Sequence, residues 1–245
     1  MAENIVVVTG ATRGIGRATA TAFARKGYRV VVTGRRAEAV DAVVRELRAE
    51  GLAAEGELLD VCSVDSARCL AESLGERFDH IDVLVNNAGI LPEATASGSV
   101  NFAHPGAFTE TLMTNTFGPA NVIEALLPLI RRAPAGHIVN VSTEMGSLSE
   151  QRNPDSAYYS MVVPGYQASK AALNSLTVGL AKLLADTPVR VTSVCPGFVA
   201  TELAPASADA PTTPDDAARI ILSAAESADP CHNGAFVGAG GSIPW

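Results

Sequence analysis

A tyrosine and a lysine stand four residues apart at the start of a segment with helical spacing, at Tyr166 and Lys170. Side chains at this spacing share one face of a helix, which brings a fixed cation close to a phenol. A free tyrosine titrates near pH 10, and bringing that value to about 7 requires about 4 kcal/mol of preference for the phenolate. A neighbouring positive charge acts in that direction. The pair can therefore exchange a proton, although an isolated pair of this kind is more often a solvated surface pair.

Three glycines follow the first apolar run, in the segment Thr9-Gly10-Ala11-Thr12-Arg13-Gly14-Ile15-Gly16. Glycine lets the backbone turn tightly and approach a pyrophosphate, and the N–H groups and dipole of a helix that begins there favour negative charge. Three glycines alone also fit an ordinary strand-to-helix turn. Here a strand, the glycine loop and a helical pattern arrive in the order that dinucleotide binding requires.

The elements that position these residues follow from the distribution of apolar side chains. Short runs rich in Val and Ile predict buried strands at Ile5–Thr9, Arg29–Thr33, Ala53–Leu59, Ile81–Asn86, His137–Ser142, Val189–Cys195 and Ala235–Val237. Longer amphipathic stretches predict helices at Gly14–Lys26, Ala37–Glu50, Val64–Phe78, Pro105–Arg132, Ala168–Ala185 and Pro214–Ser227. This rhythm predicts an α/β protein with a Rossmann-type, doubly wound parallel sheet of about seven strands and helices on both faces.

Length and patterning indicate one domain over residues 1–245, since 245 residues with 47% hydrophobic content fill one core well. Two stretches break the rhythm: a loop insertion at about 144–165 and a substrate loop at about 201–214. Loops this long in a compact domain are more often functional than accidental, so both are expected to be walls or lids of a site.

The motifs together resemble those of the short-chain dehydrogenase/reductase family, whose glycine loop reads Thr-Gly-x-x-x-Gly-x-Gly. Further motifs follow in the family's order over essentially the whole chain: Asp60-Val61, Asn86-Asn87-Ala88-Gly89, Asn115, Tyr166-x-x-x-Lys170 and Pro196-Gly197-x-x-x-Thr201. The ending from Gly234 to Trp245 is similar to the carbonyl reductase branch.

The resemblance implies hydride transfer between a nicotinamide cofactor and a carbonyl. It makes Tyr166 the acid, and gives Lys170 two tasks: lowering the tyrosine pKa, together with an oxidised nicotinamide, and binding the nicotinamide ribose. It makes Asn115 the residue that kinks its helix and holds a water in a proton relay to the lysine. Asp60 otherwise reads as a helix N-cap. The other implied cofactor contacts are Gly10, Thr12, Gly14, Ile15, Gly16, Asp60, Val61, Asn87, Ala88, Gly89, Pro196, Gly197, Val199 and Thr201.

The family's catalytic serine aligns with Thr143 when the segment is matched on Gly136, and Ser142 stands just before it. Threonine keeps the hydroxyl that orients a carbonyl, but its extra methyl restricts the rotamer. We assign the role to Thr143 and keep Ser142 in reserve. Because side chains alternate along a strand, only one of the two is expected to reach the substrate.

The end of the second strand reads Thr33-Gly34-Arg35-Arg36, without the acid that binds ribose hydroxyls in NAD-binding folds. A carboxylate repels a 2′-phosphate, whereas a guanidinium grips it with two hydrogen bonds. Arg13 can approach the same phosphate from the glycine loop. The sequence therefore predicts NADP(H) over NAD(H), unless these arginines are simply solvated surface charges.

Composition excludes several other classes of function. The formal net charge of −8 argues against nucleic-acid binding, and no apolar run is long enough to span a membrane. The four cysteines form no Cys-x-x-Cys pair and are expected to be buried free thiols, and the four histidines show no metal-ligand spacing, so no metal site is predicted. The N-terminus lacks the features of a signal peptide, which indicates a cytoplasmic protein.

The sequence thus predicts an NADPH-dependent reductase of a small-molecule ketone, aldehyde or quinone, reversible as an alcohol dehydrogenase. A ketoreductase of secondary metabolism shares every motif and differs only in the loops that meet the substrate. A non-catalytic regulator that senses NADP(H) is a third alternative, against which the intact Tyr166 and Lys170 count. Monomer and homo-oligomer both remain open.

Overall fold

The computed structural model of the protein describes residues 3–98, 100–207 and 209–245. Within these ranges the strands are β1 (Ile5–Val8), β2 (Arg29–Gly34), β3 (Ala54–Leu58), β4 (Val83–Asn86), β5 (His137–Val141), β6 (Arg190–Val194), β7 (Ala235–Gly238) and β8 (Gly241–Ser242). The α-helices are α1 (Gly14–Arg25), α2 (Ala37–Ala49), α3 (Val64–Arg77), α4 (Pro105–Leu112), α5 (Gly118–Ile130), α6 (Leu148–Arg152), α7 (Pro164–Leu183) and α8 (Pro214–Glu226).

All the strands belong to one sheet, in the order β3-β2-β1-β4-β5-β6-β7-β8. Strands β1 to β7 are parallel, and β8 returns antiparallel to β7. The predicted doubly wound α/β fold is thereby confirmed, with one strand more than the seven expected. The chain winds outward in opposite directions from the β1–β4 pair, and at such a switch point the loops that leave neighbouring strands diverge and open a crevice.

Each face of the sheet carries its own apolar core because successive strand residues point to opposite sides. Val6 and Val8 of β1 pack with buried residues of α1, α2 and α8. Ile5 and Val7 of the same strand pack on the other face, with buried residues of α3 and α5. Both faces are therefore covered, which explains why the strands read as continuous apolar runs rather than as clean alternation.

A row of polar side chains interrupts this apolar packing near the carboxyl ends of three central strands. In the sheet register Asn86 lies beside Asn140, and Asn140 lies beside Ser193. Asn86 Nδ2 donates to Asn140 Oδ1 at 2.9 Å, and Asn140 Nδ2 donates to Thr177 Oγ1 of α7 at 2.8 Å. The Thr177 hydroxyl lies 2.8 Å from Ser193 Oγ. This polar row ties the middle of the sheet to α7.

The helices differ from the sequence prediction at three places. The single helix expected over residues 105–132 contains a π-helical turn, Met113–Phe117, between α4 and α5. Helix α7 begins at Pro164, four residues before the expected start, so it includes Tyr166 in its first turn. The insertion at 144–165 holds a short 3-10 helix, Glu144–Gly146, and α6.

Candidate active site

The glycine loop connects β1 to α1 with two glycines in left-handed conformations, Gly10 with φ 63° and Gly14 with φ 54°. A Cβ atom added to Gly10 would stand 3.0 Å from Ala88 Cα, so only glycine allows this approach of two backbones. Helix α1 has no side-chain cap at Arg13 and no acidic residue in its first turn. Its first N–H groups, with the positive end of the helix dipole, are therefore suited to a pyrophosphate.

The loop that follows β4 is tied to the glycine loop by side-chain hydrogen bonds. Thr9 Oγ1 accepts from the N–H groups of Asn87 and Ala88 at 2.9 and 3.0 Å. In return, Asn87 Nδ2 donates to the carbonyl oxygens of Thr9 and Gly10 at 2.9 and 3.2 Å. These bonds bring the predicted cofactor contacts Gly10, Asn87, Ala88 and Gly89 to one edge of the sheet.

The segment after β6 closes the same edge from the other side. Gly197 has φ 89°, and Val199, which is buried, bridges to Thr212 across the substrate loop. A Cβ atom on Gly14 would lie 3.5 Å from Thr201 Cγ2, so the beginning of the substrate loop contacts the glycine loop. The structure thus brings Gly14 and Thr201 together, although they are far apart in the sequence.

The arginines expected to select the cofactor are exposed at the end of β2 and in the glycine loop. Arg35 and Arg36 follow Gly34, against which Thr12 packs so closely that an added Cβ would stand 2.7 Å from its methyl group. The Arg13 guanidinium forms an ion pair with Glu202 at 2.9 Å, with both side chains exposed. Two arginines therefore face solvent beside the glycine loop, while the third is held by a carboxylate of the substrate loop.

Asp60 and Val61 lie in the loop between β3 and α3. Asp60 is exposed, and its carboxylate accepts from the N–H of Cys62 at 3.0 Å, whereas the side chain that caps α3 is Ser63. Asp60 is therefore not the helix N-cap that the alternative interpretation made it. Val61 is buried and packs beside Gly118, the first residue of α5.

Tyr166 and Lys170 lie together in the first part of α7, buried against the end of β5. Only 9% of Tyr166 and 5% of Lys170 is exposed, so this is not a solvated surface pair. Lys170 Nζ donates to the carbonyl oxygen of Val141 at 2.8 Å and lies 5.8 Å from the centre of the Tyr166 ring. The ammonium is thus fixed near the phenol by the strand, as the four-residue spacing predicts.

Burial controls the ionisation of both groups. It raises the pKa of the Tyr166 phenol well above its usual value, and the neighbouring Cys195 and Tyr158 act in the same direction. It lowers the pKa of Lys170 to about 8. Lys170 alone therefore does not produce the lowered tyrosine pKa that the resemblance implies, since desolvation of the phenol outweighs an ammonium that is itself desolvated. The protein holds Tyr166 as a neutral phenol at neutral pH.

Ser142 and Thr143 directly follow β5 and have different surroundings. Ser142 is buried, and its hydroxyl has no hydrogen-bond partner among the described residues. Thr143 is partly exposed, and its Oγ1 accepts from the N–H of Met145 at 3.3 Å, which caps the 3-10 helix Glu144–Gly146. Thr143 is therefore the more accessible of the two hydroxyls.

Asn115 lies fully buried within the π-helical turn, where the helix departs from regular geometry. Its side chain clasps the backbone of Ile90: the amide oxygen accepts from Ile90 N–H, and Nδ2 donates to Ile90 carbonyl oxygen, both at 2.9 Å. Nδ2 also donates to Ser169 Oγ at 3.1 Å, and that hydroxyl donates to the Tyr166 carbonyl oxygen at 2.8 Å. Asn115 thus connects the loop after β4 to the backbone of α7.

Several side chains at the site were not singled out in the sequence. Ser169 directly precedes Lys170, so its position in the tyrosine–lysine motif was an available signal. Cys195, which directly follows β6, is a buried thiol whose pKa is raised chiefly by burial. The expectation of buried thiols holds for Cys195 and is wrong for Cys69 and Cys231, which are exposed, while Cys62 is partly exposed. A thiol on the outer face of a helix or in a turn has too little around it to be covered.

Within residues 3–98, 100–207 and 209–245, no helix has the length and apolar character that crossing a bilayer requires. The same residues contain no cluster of three or more His, Cys, Asp or Glu side chains arranged to hold a metal ion.

Comparison with curated proteins finds relatives over most of the chain. An uncharacterized oxidoreductase from Staphylococcus saprophyticus is 36% identical over 203 residues, which are 82% of this chain and 80% of that protein. A 3-oxoacyl-[acyl-carrier-protein] reductase from Synechocystis sp. is 35% identical over 204 residues, which are 83% of this chain and 77% of that protein.

Solved structures with the same fold include carbonyl reductase from chicken fatty liver with bound NADPH, at a TM-score of 0.84 and 23% identity over 100% of both chains. A metagenomic short-chain oxidoreductase in complex with NADP aligns at a TM-score of 0.73 and 32% identity over 96% of both chains. The family model described as short chain dehydrogenase matches residues 4–211. The chain therefore belongs to the short-chain dehydrogenase/reductase family and is an oxidoreductase.

Proposed function

We propose that the protein is an NADPH-dependent reductase of a ketone, aldehyde or quinone, with Tyr166 as the proton donor. The observation that carries this proposal is the buried pair of Tyr166 and Lys170, which Val141 fixes at the edge of the sheet where the glycine loop also lies. A buried phenol beside a buried ammonium is costly to maintain, and perturbed titratable groups of this kind concentrate at catalytic sites.

Bound NADPH supplies the hydride. As the carbonyl carbon accepts it, Tyr166 transfers its phenolic proton to the carbonyl oxygen, and the substrate leaves as an alcohol. The raised pKa of Tyr166 keeps the proton in place at neutral pH. Lys170, still charged below about pH 8, stabilises the phenolate that remains after the transfer.

Thr143 is proposed to orient the substrate carbonyl, because its hydroxyl is accessible at the end of β5 and can donate to the developing negative charge. Asn115 is proposed to support the site by holding Ile90 and Ser169. Its two amide atoms already have protein partners, which favours this anchoring role over the water-holding role that the resemblance implies.

The proposed cofactor is NADP(H). The exposed Arg35 and Arg36 stand where a 2′-phosphate would be gripped, and β2 offers no carboxylate there. The 32% identical metagenomic oxidoreductase, solved in complex with NADP, supports the same choice. The uncapped start of α1, directly after the glycine loop, fits the pyrophosphate.

A second candidate substrate class is a 3-oxoacyl thioester. It is favoured by the relative from Synechocystis sp., which is a 3-oxoacyl-[acyl-carrier-protein] reductase and is 35% identical. Both substrate classes use the same hydride and proton transfers, so the distinction lies in the loops that meet the rest of the substrate.

The test is oxidation of NADPH by the purified protein with a panel of ketones, aldehydes, quinones and a 3-oxoacyl thioester, with NADH in parallel. Tyr166→Phe is expected to lower kcat by about 10²- to 10⁴-fold, the usual contribution of a positioned acid. Tyr28→Phe, which removes the hydroxyl of a tyrosine whose ring packs on Phe23 away from the site, is the matched control and should leave kcat unchanged. Tight NADPH binding without turnover on any member of the panel would favour the NADP(H)-sensing alternative.

A further inference from the structure

The first turn of α7, which carries Tyr166, is capped by a residue from a distant part of the chain. Its N-cap, Val163, makes no side-chain hydrogen bond, and Pro164 has no N–H to donate. The next two N–H groups, of Gly165 and Tyr166, donate to the two carboxylate oxygens of Glu93, at 3.0 and 2.8 Å. Glu93 therefore satisfies two of the donors that a helix start leaves without intrahelical partners.

The space for this carboxylate depends on a glycine. A Cβ atom added to Gly165 would stand 3.0 Å from Glu93 Oε2 and 3.1 Å from both Glu93 Cδ and Phe108 Cα. Glu93 itself is half-buried, in the 3-10 helix Pro92–Ala94 that follows the β4 loop. The carboxylate thus lies directly against the first turn of α7, at a place where only glycine leaves room for it.

The backbone N–H and carbonyl oxygen of Tyr166 both bind side chains that are connected to the loop after β4. Its N–H donates to Glu93, and its carbonyl oxygen accepts from Ser169 Oγ at 2.8 Å. Ser169 is held by Asn115, which also clasps Ile90, three residues before Glu93. The segment of residues 90–93 is therefore fastened at one end to the π-helical turn and at the other to the start of α7.

We propose that Glu93 is a positioning residue for Tyr166, holding the first turn of α7 so that the phenol meets the substrate carbonyl. The inference rests on the proposed function for its catalytic consequence. Charge-assisted hydrogen bonds are shorter and stronger than neutral ones, and a carboxylate is favoured at the positive end of a helix dipole. A misplacement of about 1 Å can cost about 10²-fold in rate, so such a clamp has a large effect on catalysis.

The test compares Glu93→Ala and Glu93→Gln with the wild-type protein. The alanine variant is expected to lower kcat by about tenfold or more with the dissociation constant of NADPH within about twofold of the wild type. The glutamine variant keeps one acceptor oxygen and should recover part of the loss. Glu110→Gln removes the same charge from an exposed position of α4 and should change neither quantity.

Hydrogen exchange of the amides of Gly165 and Tyr166 separates this inference from the proposed function. Exchange should be much faster in Glu93→Ala than in the wild type, whether or not a carbonyl substrate has been found. Unchanged exchange would overturn the clamp itself. A lowered melting temperature with unchanged kcat would reduce Glu93 to a merely structural cap. Absence of turnover in the wild type would instead reject the carbonyl reductase proposal and leave the exchange result to decide on the clamp.

Discussion

The two neighbouring hydroxyls at the end of β5 differ in what surrounds them. Ser142 is buried with an unpartnered hydroxyl, and Thr143 is partly exposed with its oxygen accepting from Met145 N–H. A hydroxyl that accepts from the backbone still has its proton free to donate. Thr143 can therefore cap the 3-10 helix and donate to a substrate oxygen at the same time.

Thr143→Val should accordingly lower kcat by about 100-fold or more, the usual cost of losing one donor to a developing oxyanion. Thr143→Ser keeps the hydroxyl and should retain most of the activity. Ser142→Ala, the matched removal of the neighbouring hydroxyl, should have a small effect. Steady-state kinetics with a saturating carbonyl substrate measure all three, and the reverse ranking of the valine and alanine variants would assign the role to Ser142.

The lowered pKa of Lys170, about 8, gives the reduction a pH dependence of defined sign. Below that value the ammonium is charged and supports the phenolate formed at Tyr166, and above it the charge is lost. We expect kcat/KM for reduction to fall as the pH rises through about 8. Lys170→Met should lower activity and remove this limb, whereas Lys182→Met, on an exposed part of the same helix, should leave the profile as it is.

Among the elements, the substrate loop is fastened to the glycine loop by the ion pair of Arg13 and Glu202. Both side chains are largely exposed, at 62% and 83%, so the pair contributes little to stability. The position of the pair bears instead on cofactor binding. The Glu202 carboxylate pairs with the Arg13 guanidinium, which was expected to bind a 2′-phosphate, and it adds a negative charge nearby.

Glu202→Gln should therefore tighten the binding of NADPH by a few fold at low ionic strength, and should leave the binding of NADH unchanged. Fluorescence titration with both nucleotides measures this, and added salt should reduce the difference because the charges are exposed. Glu226→Gln, which breaks the Lys26–Glu226 ion pair away from the glycine loop, is the control. Equal effects on NADPH and NADH would argue against competition for Arg13.

Elements that have a characteristic local sequence pattern were predicted correctly from the sequence. The strands β1, β2 and β4 to β6 are visible as runs rich in Val, Ile and Leu, and β7 as a short apolar run. In contrast, β8 is a Gly-Ser pair without a sequence signature, and it forms by pairing with the free edge of β7. The π-helical turn adds one residue to a helical turn, a change too small to alter the apolar periodicity. Helix α7 starts four residues early because its cap comes from Glu93, which no local pattern could indicate.

The candidate site was predictable to the extent that its residues occur in motifs. Tyr166, Lys170 and Asn115 are buried, and Gly10 and Gly14 adopt left-handed conformations that suit glycine, while the roles assigned to these residues stay predictions. The ionisation of Tyr166 was not predictable, because it depends first on burial of the phenol in the folded protein and then on the charge of groups such as Cys195, which follows a different strand. Long-range contacts of this kind leave no trace in local composition.

At the scale of the whole molecule, a buried histidine joins three elements behind the site. His137 Nδ1 lies 2.9 Å from the Ala225 carbonyl oxygen of α8, and Nε2 lies 2.9 Å from Thr192 Oγ1 of β6. Thr192 Oγ1 also lies 2.9 Å from the carbonyl oxygen of His232, so its single proton serves one of two acceptors, this carbonyl or Nε2 of the neutral imidazole. Burial lowers the pKa of His137 to about 4, so the folded protein keeps this imidazole neutral.

Folding stability should consequently fall in mild acid. An unfolded histidine binds a proton below about pH 6.5, whereas folded His137 does so only below about 4, so the unfolded state holds more protons between these values. The contribution of His137, about 3 kcal/mol, is fully present above about pH 6.5 and is lost as the pH falls towards 4. Urea unfolding at several pH values measures this loss.

A variant isolates the histidine from other groups that titrate in the same range. His137→Asn should be less stable than the wild type at pH 7 and should lose less of its stability on acidification. His104→Asn, in the half-buried segment before α4, serves as the control and should follow the wild type. Parallel curves for His137→Asn and the wild type would show that another group causes the acid sensitivity.

The polar row of Asn86, Asn140 and Ser193 bears on how the central strands find their alignment during folding. Valine-rich parallel strands that are apolar on both faces can shift by one residue without exposing apolar surface. Burial of apolar side chains alone therefore does not select one register between neighbouring strands. Such a shift would, however, leave two buried side-chain amides and a buried hydroxyl without hydrogen-bond partners, which is energetically costly. The polar row therefore favours the native alignment of the central strands. Its loss should lower the stability of the folded sheet less than it lowers the accuracy of strand pairing during folding, when misaligned strands are prone to aggregate.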